Sequence, residues 1–136
     1  MTKEQTQDTL PQDRQPTTRV MARPTDTNGA GDIFGGWIMS QVDIAASIAA
    51  YRRAKGRVVT VAVNEFQFHK PVYVGDLISS YADVTRIGRT SLTIFVEVYA
   101  ERNHDGHEEC NKVTEATLTF VAVDKNRKPR VVPPDS

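Results

Sequence analysis

The sequence is poor in cysteine and has neither a long apolar run nor an excess of charge of one sign. Cys110 is the single cysteine among 136 residues, which excludes an intramolecular disulfide and predicts a thiol packed in the core. The chain contains 17 basic residues (lysine and arginine together) and 17 acidic residues (aspartate and glutamate together). This balance of charge argues against a nucleic-acid-binding protein. No apolar segment approaches the roughly 18 residues of a membrane-spanning helix, so no membrane association is expected.

The opening segment is polar and lacks the apolar core of a signal peptide, so we predict a cytoplasmic location. Residues 1–16 are expected to form a mobile tail, residues 17–128 a single domain, and residues 129–136 a short basic tail with prolines. The length suffices for one core of ordinary composition, since 39% of the residues are hydrophobic and 25% are charged.

Hydrophobic periodicity predicts one long helix and several strands. We place a short strand at 17–23 and a helix from Gly36 to Lys55, with Gly56 as its stop. Alternating patterns predict strands at 57–68, 76–87, 90–102 and 109–124, and the polar segment 103–109 is expected to be a hairpin loop around Asp105-Gly106.

The stretch 26–43, DTNGAGDIFGGWIMSQVD, organises the domain, because it leads from a glycine-rich loop into the most apolar helical segment. The helix is apolar on most of its circumference, which predicts that it lies inside the protein. Asp43 lies in its middle, where burial of a carboxylate is costly without a partner. Gly35 and Gly36 open the helix and leave free N–H groups towards the loop.

One long helix followed by four long strands in meander order predicts an α+β fold, in which an antiparallel sheet covers the helix. A single helix covers only part of such a sheet. The apolar side chains left over predict that a second copy packs alongside, so we expect a homo-oligomer.

The loop and helix resemble those of hotdog-fold acyl-CoA hydrolases, close to the bacterial YciA-like branch. The resemblance extends through GRVVTVAVNEFQFHKPVYVGD, RIGRTS and TEATLTFVAVD and covers roughly residues 17–128. It implies a hotdog fold, with a long central helix wrapped by an antiparallel sheet. It also implies hydrolysis of fatty acyl-CoA thioesters without a metal or separate cofactor, since CoA is part of the substrate.

The family pattern of an Asn in the loop, a Gly-Gly helix start and an Asp in the helix falls on Asn28, Gly35-Gly36 and Asp43. The resemblance implies dimers that group into hexamers, with the Asn and Asp of one site supplied by different protomers. This sequence departs from the pattern at His69, where we expect an apolar residue, and in its short C-terminal tail.

Asp43 is therefore the candidate general base or, alternatively, nucleophile, and burial would make it a stronger base. Alternatively, Asp43 has no catalytic role and belongs to a polar stripe of the helix together with Ser40 and Ser47. Asn28 can orient water or the thioester, or can instead form an Asx-turn. The Gly35 and Gly36 N–H groups suit an oxyanion hole, although glycine there would also permit close packing of the helix on the sheet.

The phosphates of CoA require cations and backbone donors. The candidates are at strand ends and in one turn: Arg57, Lys70, Gly88, Arg89, Thr90 and Ser91, with Arg86 nearby. Each basic side chain among them is alternatively a solvated surface charge. The three histidines, His69, His104 and His107, lack the spacing of a metal site, and none is predicted.

Two other functions stay open at this point. A hotdog hydratase or dehydratase would need a histidine opposite an acid, and only His69 at its strand end can serve. The other alternative is a non-catalytic acyl-CoA-binding protein. A DNA-linked version of it would need a helix-turn-helix that the 16-residue polar tail cannot supply.

Overall fold

The computed structural model describes residues 8–135, which form one helix and five strands. In chain order these are β1 (Thr18–Met21), a short 3₁₀ turn (Pro24–Asp26), α1 (Gly35–Ala54), β2 (Val58–Phe68), β3 (Leu77–Ile87), β4 (Ser91–His104) and β5 (His107–Ala122). The predicted α+β fold is confirmed, and every predicted strand and the helix are present.

The five strands form one antiparallel sheet in the order β1-β3-β4-β5-β2. The predicted simple meander is therefore wrong for β2, which pairs with β5 from Val58↔Ala122 to Phe68↔Thr114. The hairpins that join β3 to β4 and β4 to β5 have short turns, which force neighbouring strands to pair. The link between β2 and β3 contains eight residues, one of which is a proline, so it can cross the end of the sheet. As a result β2 is an edge strand.

The predicted hairpin loop at 103–109 is also shorter than expected. Strands β4 and β5 continue to the pair His104↔His107, and only Asp105 and Gly106 form the turn. Both turn residues have positive φ, 51° and 84°, as a two-residue turn between right-twisted strands requires. The Asp-Gly pair predicts this turn, but the polar flanking residues conceal the paired strands.

One face of the sheet packs against α1 and forms the core. Strand β4 contributes Leu92, Ile94, Val96 and Val98, all fully buried, as its alternating pattern predicts. Most of the other core residues come from β3, β5 and the helix: Ile78, Val113, Ala116, Leu118, Phe120, Ala122, Ile38, Val42, Ala45, Ala46, Ala50 and Ala54. Four helical alanines let the helix axis lie close to the sheet.

Helix α1 buries only one side in the protomer, contrary to the prediction of an enclosed helix. On the opposite side of the helix, Met39 is 44% exposed, Ile44 46% and Tyr51 57%. No helix within residues 8–135 is both long enough and apolar enough to cross a membrane. The residue that ends the helix in the left-handed conformation is Lys55 (φ 56°), whereas Gly56 was predicted as the stop.

The two terminal segments make specific contacts with the domain. Arg14 forms ion pairs with Asp83 and Glu97, and its guanidinium lies 5.1 Å from the centre of the Tyr81 ring. At the other end, the buried Val132 donates its N–H to the Arg89 carbonyl at 2.9 Å. Residues 8–16, predicted as part of a mobile tail, therefore lie on the outer face of the sheet, while residues 1–7 are outside the described part.

Candidate active site

Asp43 lies on the exposed side of α1, and its carboxylate is held by strand β2. Thr60 donates its hydroxyl to Asp43 Oδ1 at 2.8 Å. The expectation that a single chain buries Asp43 is wrong, because the buried side of the helix is formed by Val42, Ala45 and Ala46. The acid is thus oriented by its own chain, yet remains accessible to a ligand or to a second copy.

Asn28 shapes the loop that precedes the helix. Its Oδ1 accepts the backbone N–H groups of Ala30 at 2.9 Å and Asp32 at 3.2 Å, as in the Asx-turn alternative. Its backbone N–H bonds to the Asp32 carbonyl at 2.7 Å. Within residues 8–135, its side-chain NH₂ group has no hydrogen-bond partner. The oxygen is therefore committed to the loop, and the NH₂ group is free to donate to a ligand.

Gly35 and Gly36 begin α1, and their N–H groups have no acceptor among the residues that the structure describes. A methyl group on Gly35 would come within 3.3 Å of the Phe68 ring, whereas one on Gly36 would meet nothing within 4 Å. Close packing thus explains Gly35 in part but does not explain Gly36. Two free donors at the positive end of a 20-residue helix can bind a developing oxyanion.

The acid and the glycine donors are well separated within one protomer. Asp43 follows Gly35 by eight residues, which places it about 12 Å farther along the helix axis. A base and an oxyanion donor that act on one carbonyl must each lie within hydrogen-bonding distance of the reacting atoms. Asp43 and Gly35 of the same chain therefore cannot serve the same thioester.

The predicted CoA-binding residues divide between two ends of the sheet. Arg57 precedes β2, and the Gly88-Arg89-Thr90-Ser91 turn precedes β4, so these lie at one end. In the turn, the Gly88 N–H bonds to the Ser91 carbonyl at 2.8 Å. Lys70 follows the opposite end of β2, a strand about 33 Å long, and its Nζ donates to Asn111 at 3.0 Å.

His69 lies beside Lys70 and lines a pocket of about 280 Å³ together with Gly35. Its Nε2 is 3.2 Å from Glu115 Oε1, and Lys112 forms an ion pair with the same carboxylate. Lys112, followed by His69, lowers the pKa of Glu115 below its ordinary value, so Glu115 is a carboxylate at neutral pH. Among the side chains that the structure describes, no group of three histidines, cysteines or acids can hold a metal. The absence of a metal site stays a prediction.

Two residues of the site escape the sequence-based prediction. Thr60 and Phe68 look like ordinary strand residues, because β-branched and aromatic side chains are common in strands. Their roles depend on which helix residue each strand residue faces, namely Asp43 for Thr60 and Gly35 for Phe68. No pattern in the sequence specifies that helix–strand register.

A helix packed on one antiparallel sheet, with a carboxylate and free glycine N–H groups on its exposed side, defines a hotdog-fold thioester hydrolase. The chain belongs to the thioesterase superfamily, whose family model matches residues 30–107. It is 47% identical over 116 residues to the acyl-CoA thioester hydrolase YciA of Escherichia coli strain K12, over 85% of this chain and 88% of that protein.

Two solved structures are similar along most of the chain. A hexameric hotdog fold thioesterase of Campylobacter jejuni has a TM-score of 0.86 and 42% identity, covering 88% of this chain and 91% of that one. A hexameric thioesterase from Yersinia pestis has a TM-score of 0.82 and 46% identity, and the match covers 92% of this chain and 99% of that one. The predicted hotdog fold and the family resemblance are confirmed.

Proposed function

We propose that the protein hydrolyses fatty acyl-CoA thioesters to free fatty acid and CoA. The observation that carries the proposal is the Asp43 carboxylate, held by Thr60 on the exposed side of a helix that opens with two free N–H groups. The family membership and the relative named acyl-CoA thioester hydrolase support the same reaction.

In the proposed mechanism, Asp43 removes a proton from a water molecule as that water attacks the thioester carbonyl. The Gly35 and Gly36 N–H groups stabilise the oxyanion, and a donor of this kind is worth about 3 kcal/mol in other enzymes. The free NH₂ group of Asn28 can hold the water or the carbonyl oxygen. Collapse of the intermediate breaks the C–S bond, and Asp43 returns its proton to the CoA thiolate. CoA enters as part of the substrate, and the mechanism needs no further cofactor.

The reacting groups come from two chains in this proposal. A two-fold axis between antiparallel α1 helices would bring Gly35 of one copy beside Asp43 of the other if it passed near Met39, the midpoint of the two positions. Met39 is 44% exposed on that side of the helix, as a residue at such an axis must be. Each dimer would then contain two equivalent sites, with Asn28 and the glycines from one chain and Asp43 from its partner.

The outer strand offers a second contact between copies. One edge of β2 pairs with β5 and the other is open, and Val61 and Val63 are 54% and 47% exposed. Pairing of two β2 edges about the same axis would continue the sheet across the dimer. Because the C. jejuni and Y. pestis relatives are hexameric, we extend the proposal to three such dimers. The cytoplasmic location remains a prediction.

For the CoA moiety, the structure favours the end of the sheet at which Arg57 and the Gly88–Ser91 turn lie. A pocket of about 510 Å³ lies there, starting one helical turn after Asp43 and lined by Ser47, Ile48, Tyr51, Arg52, Arg57 and Val58. A pantetheine arm could run from Asp43 along this pocket and place its phosphates near the arginines. Lys70 would contact the same CoA molecule only from a different copy of the chain.

The test is release of thiol from acyl-CoAs of increasing chain length, with wild type and Asp43→Asn. Asparagine keeps the shape of the side chain but is not a base, so kcat should fall at least ~100-fold. Unchanged turnover in Asp43→Asn would contradict the proposed role. Water addition to crotonyl-CoA without thiol release would instead support the hydratase alternative, and binding without turnover would support a non-catalytic protein.

A further inference from the structure

The loop that precedes α1 is a narrow hairpin, and we call residues 26–34 the site hairpin. At its base the Phe34 N–H bonds to the Asp26 carbonyl at 3.0 Å, and near its tip the Asn28 N–H bonds to the Asp32 carbonyl at 2.7 Å. An antiparallel bridge lies between these two pairs. The first side of the hairpin contains Asn28, and α1 with its glycine N–H groups directly follows the second side. The placement of the hairpin therefore sets the positions of both.

The two sides of the site hairpin are attached to the rest of the domain in different ways. The second side is held by its backbone, because the Ile33 N–H donates to the Val72 carbonyl at 3.0 Å and Asp32 forms a bridge with Tyr73. The first side makes no backbone hydrogen bond to a strand within residues 8–135. It is attached through the 3₁₀ turn Pro24–Asp26 at its base.

The Asp26 side chain fixes that turn. Its carboxylate is 9% exposed and accepts the Arg23 N–H at 3.0 Å, while the Asp26 N–H donates to the Arg23 carbonyl at 2.9 Å. The Arg23 guanidinium contributes little, since it is 71% exposed and its Nε is 3.6 Å from the carboxylate. The preceding residue, Ala22, is 1% exposed and bonds to residues 75 and 76. The carboxylate thus ties the first side of the site hairpin to a fixed part of the domain.

We propose that Asp26 is a positioning residue for thioester hydrolysis, an inference that rests on the proposed function. By holding the base of the site hairpin, its carboxylate keeps the free NH₂ group of Asn28 and the N–H groups of Gly35 and Gly36 in one arrangement around the thioester. Asp26 does not touch the substrate, because its carboxylate is buried and bonded to the Arg23 backbone. A misplacement of about 1 Å in such an arrangement can lower the rate roughly 100-fold.

The experiment measures steady-state thiol release from octanoyl-CoA by wild type, Asp26→Ala and Asp26→Asn. Alanine removes the acceptor, so kcat should fall at least roughly tenfold while KM changes less than about threefold. Asparagine keeps an oxygen that can accept the Arg23 N–H, so Asp26→Asn should retain at least about half of the wild-type kcat. If Asp26→Ala does not fold, Asp26→Glu takes its place with the same expected loss, because the longer side chain cannot bring its carboxylate to the same N–H.

Asp124→Ala is the matched control. The Asp124 carboxylate also holds a turn, since it accepts the Asn126 N–H at 2.8 Å and the Lys128 N–H at 3.0 Å, and it lies at the opposite end of the sheet. Its kcat should equal that of wild type.

A kcat within about twofold of wild type in Asp26→Ala, or a rise in KM alone, would overturn the inference. A loss in Asp26→Asn as large as in Asp26→Ala, or the same loss in Asp124→Ala, would overturn it too. Failure of wild type to release thiol from any acyl-CoA would refute the proposed function itself, so the two failures are distinguishable.

Discussion

At the scale of single residues, the hydrogen bond between Thr60 and Asp43 is a direct target for mutation. Thr60→Val keeps the branched shape but removes the hydroxyl, so the carboxylate loses its 2.8 Å donor. Hydrogen bonds to charged groups contribute about 1.5–3 kcal/mol, and we expect kcat to fall at least roughly tenfold with a smaller change in KM. Steady-state thiol release measures both constants.

Thr60→Ser is the matched variant, because it restores the hydroxyl and should recover most of kcat. If Thr60→Val and Thr60→Ser had the same kcat as wild type, the hydroxyl would have no part in positioning the base. Equal losses in both variants would show that restoring the hydroxyl does not restore kcat, and would assign the effect to packing of this side chain against α1.

Cys110 is half-buried in the wall of a surface pocket, and the prediction of a core thiol is therefore wrong. Desolvation, with Glu101 and Asp8 nearby, raises its pKa from an ordinary 9.0 to about 11. The thiolate fraction near pH 8 is then about 100-fold lower than for an unperturbed thiol, and the greater nucleophilicity of a high-pKa thiolate offsets part of this, so alkylation should be slower by roughly tenfold.

The measurement is the rate of iodoacetamide labelling at pH 8, followed by mass spectrometry, in buffer and in denaturing urea. The unfolded chain is its own control, since it holds the same thiol without the pocket. Similar rates in the two conditions would show that neither burial nor the nearby acids suppress the thiolate.

At the scale of elements, the start of β3 is tied to the end of β4 by one buried ion pair. The Asp76 residue is 1% exposed, and its carboxylate accepts hydrogen bonds from Arg102 Nε at 2.9 Å and Nη2 at 2.7 Å. The same carboxylate accepts the Tyr73 N–H at 3.0 Å. Asp76→Ala leaves the arginine with only its longer, 3.5 Å contact to Glu109 and its stacking on the Tyr73 ring, so we expect a loss of about 3 kcal/mol in unfolding free energy.

Asp135→Ala is the control, because it removes an ion pair with Arg53 in which the carboxylate is 89% exposed. That loss should stay within about 1 kcal/mol. Urea unfolding of both variants and wild type, at one protomer concentration, makes the comparison. Equal stability of the two variants would mean that the Asp76–Arg102 pair contributes no more than a surface pair.

The elements themselves could be predicted well from local pattern, and their arrangement less well. Alternation in β4 and β5 identifies which side chains enter the core, because the period of a strand depends only on its own residues. The pairing of β2 with β5 could not be read in this way, since it joins residues 58–68 to 114–122 without a local turn. The same holds for the Asp43–Thr60 contact, which depends on how α1 crosses the sheet.

The residue types of the candidate site came from the family resemblance rather than from periodicity. The structure places Asp43 on the exposed side of α1 and the two glycines at its start, and their catalytic roles stay a prediction. Burial of Asp43 was wrongly predicted because an apolar helix was assumed to be covered by its own chain. Met39, Ile44 and Tyr51 instead form an exposed surface.

At the scale of the whole molecule, the shared site makes a prediction about mixtures. Asn28→Ala and Asp43→Ala should each be inactive alone, because every site then lacks one group. In a mixed dimer, one site carries both mutations and the other carries neither. Random re-pairing makes half the dimers mixed, so about a quarter of wild-type activity should return.

The two variants are unfolded together, refolded, and compared with each variant refolded separately. Activity at the parental level in the mixture would show that both groups come from one chain. That result would exclude the shared site while leaving thioester hydrolysis in place.

The strand order also has a consequence for how the protein is made on the ribosome. Strand β2 is synthesised directly after α1, but its partner residues in β5 follow much later, as the pair Phe68↔Thr114 shows. At about 5–20 residues per second, β2 waits roughly 2–10 s for its neighbour. Throughout that interval the nascent chain carries an unpaired strand with exposed valines beside a half-covered helix. This is the period in which chaperones would be expected to bind the growing chain.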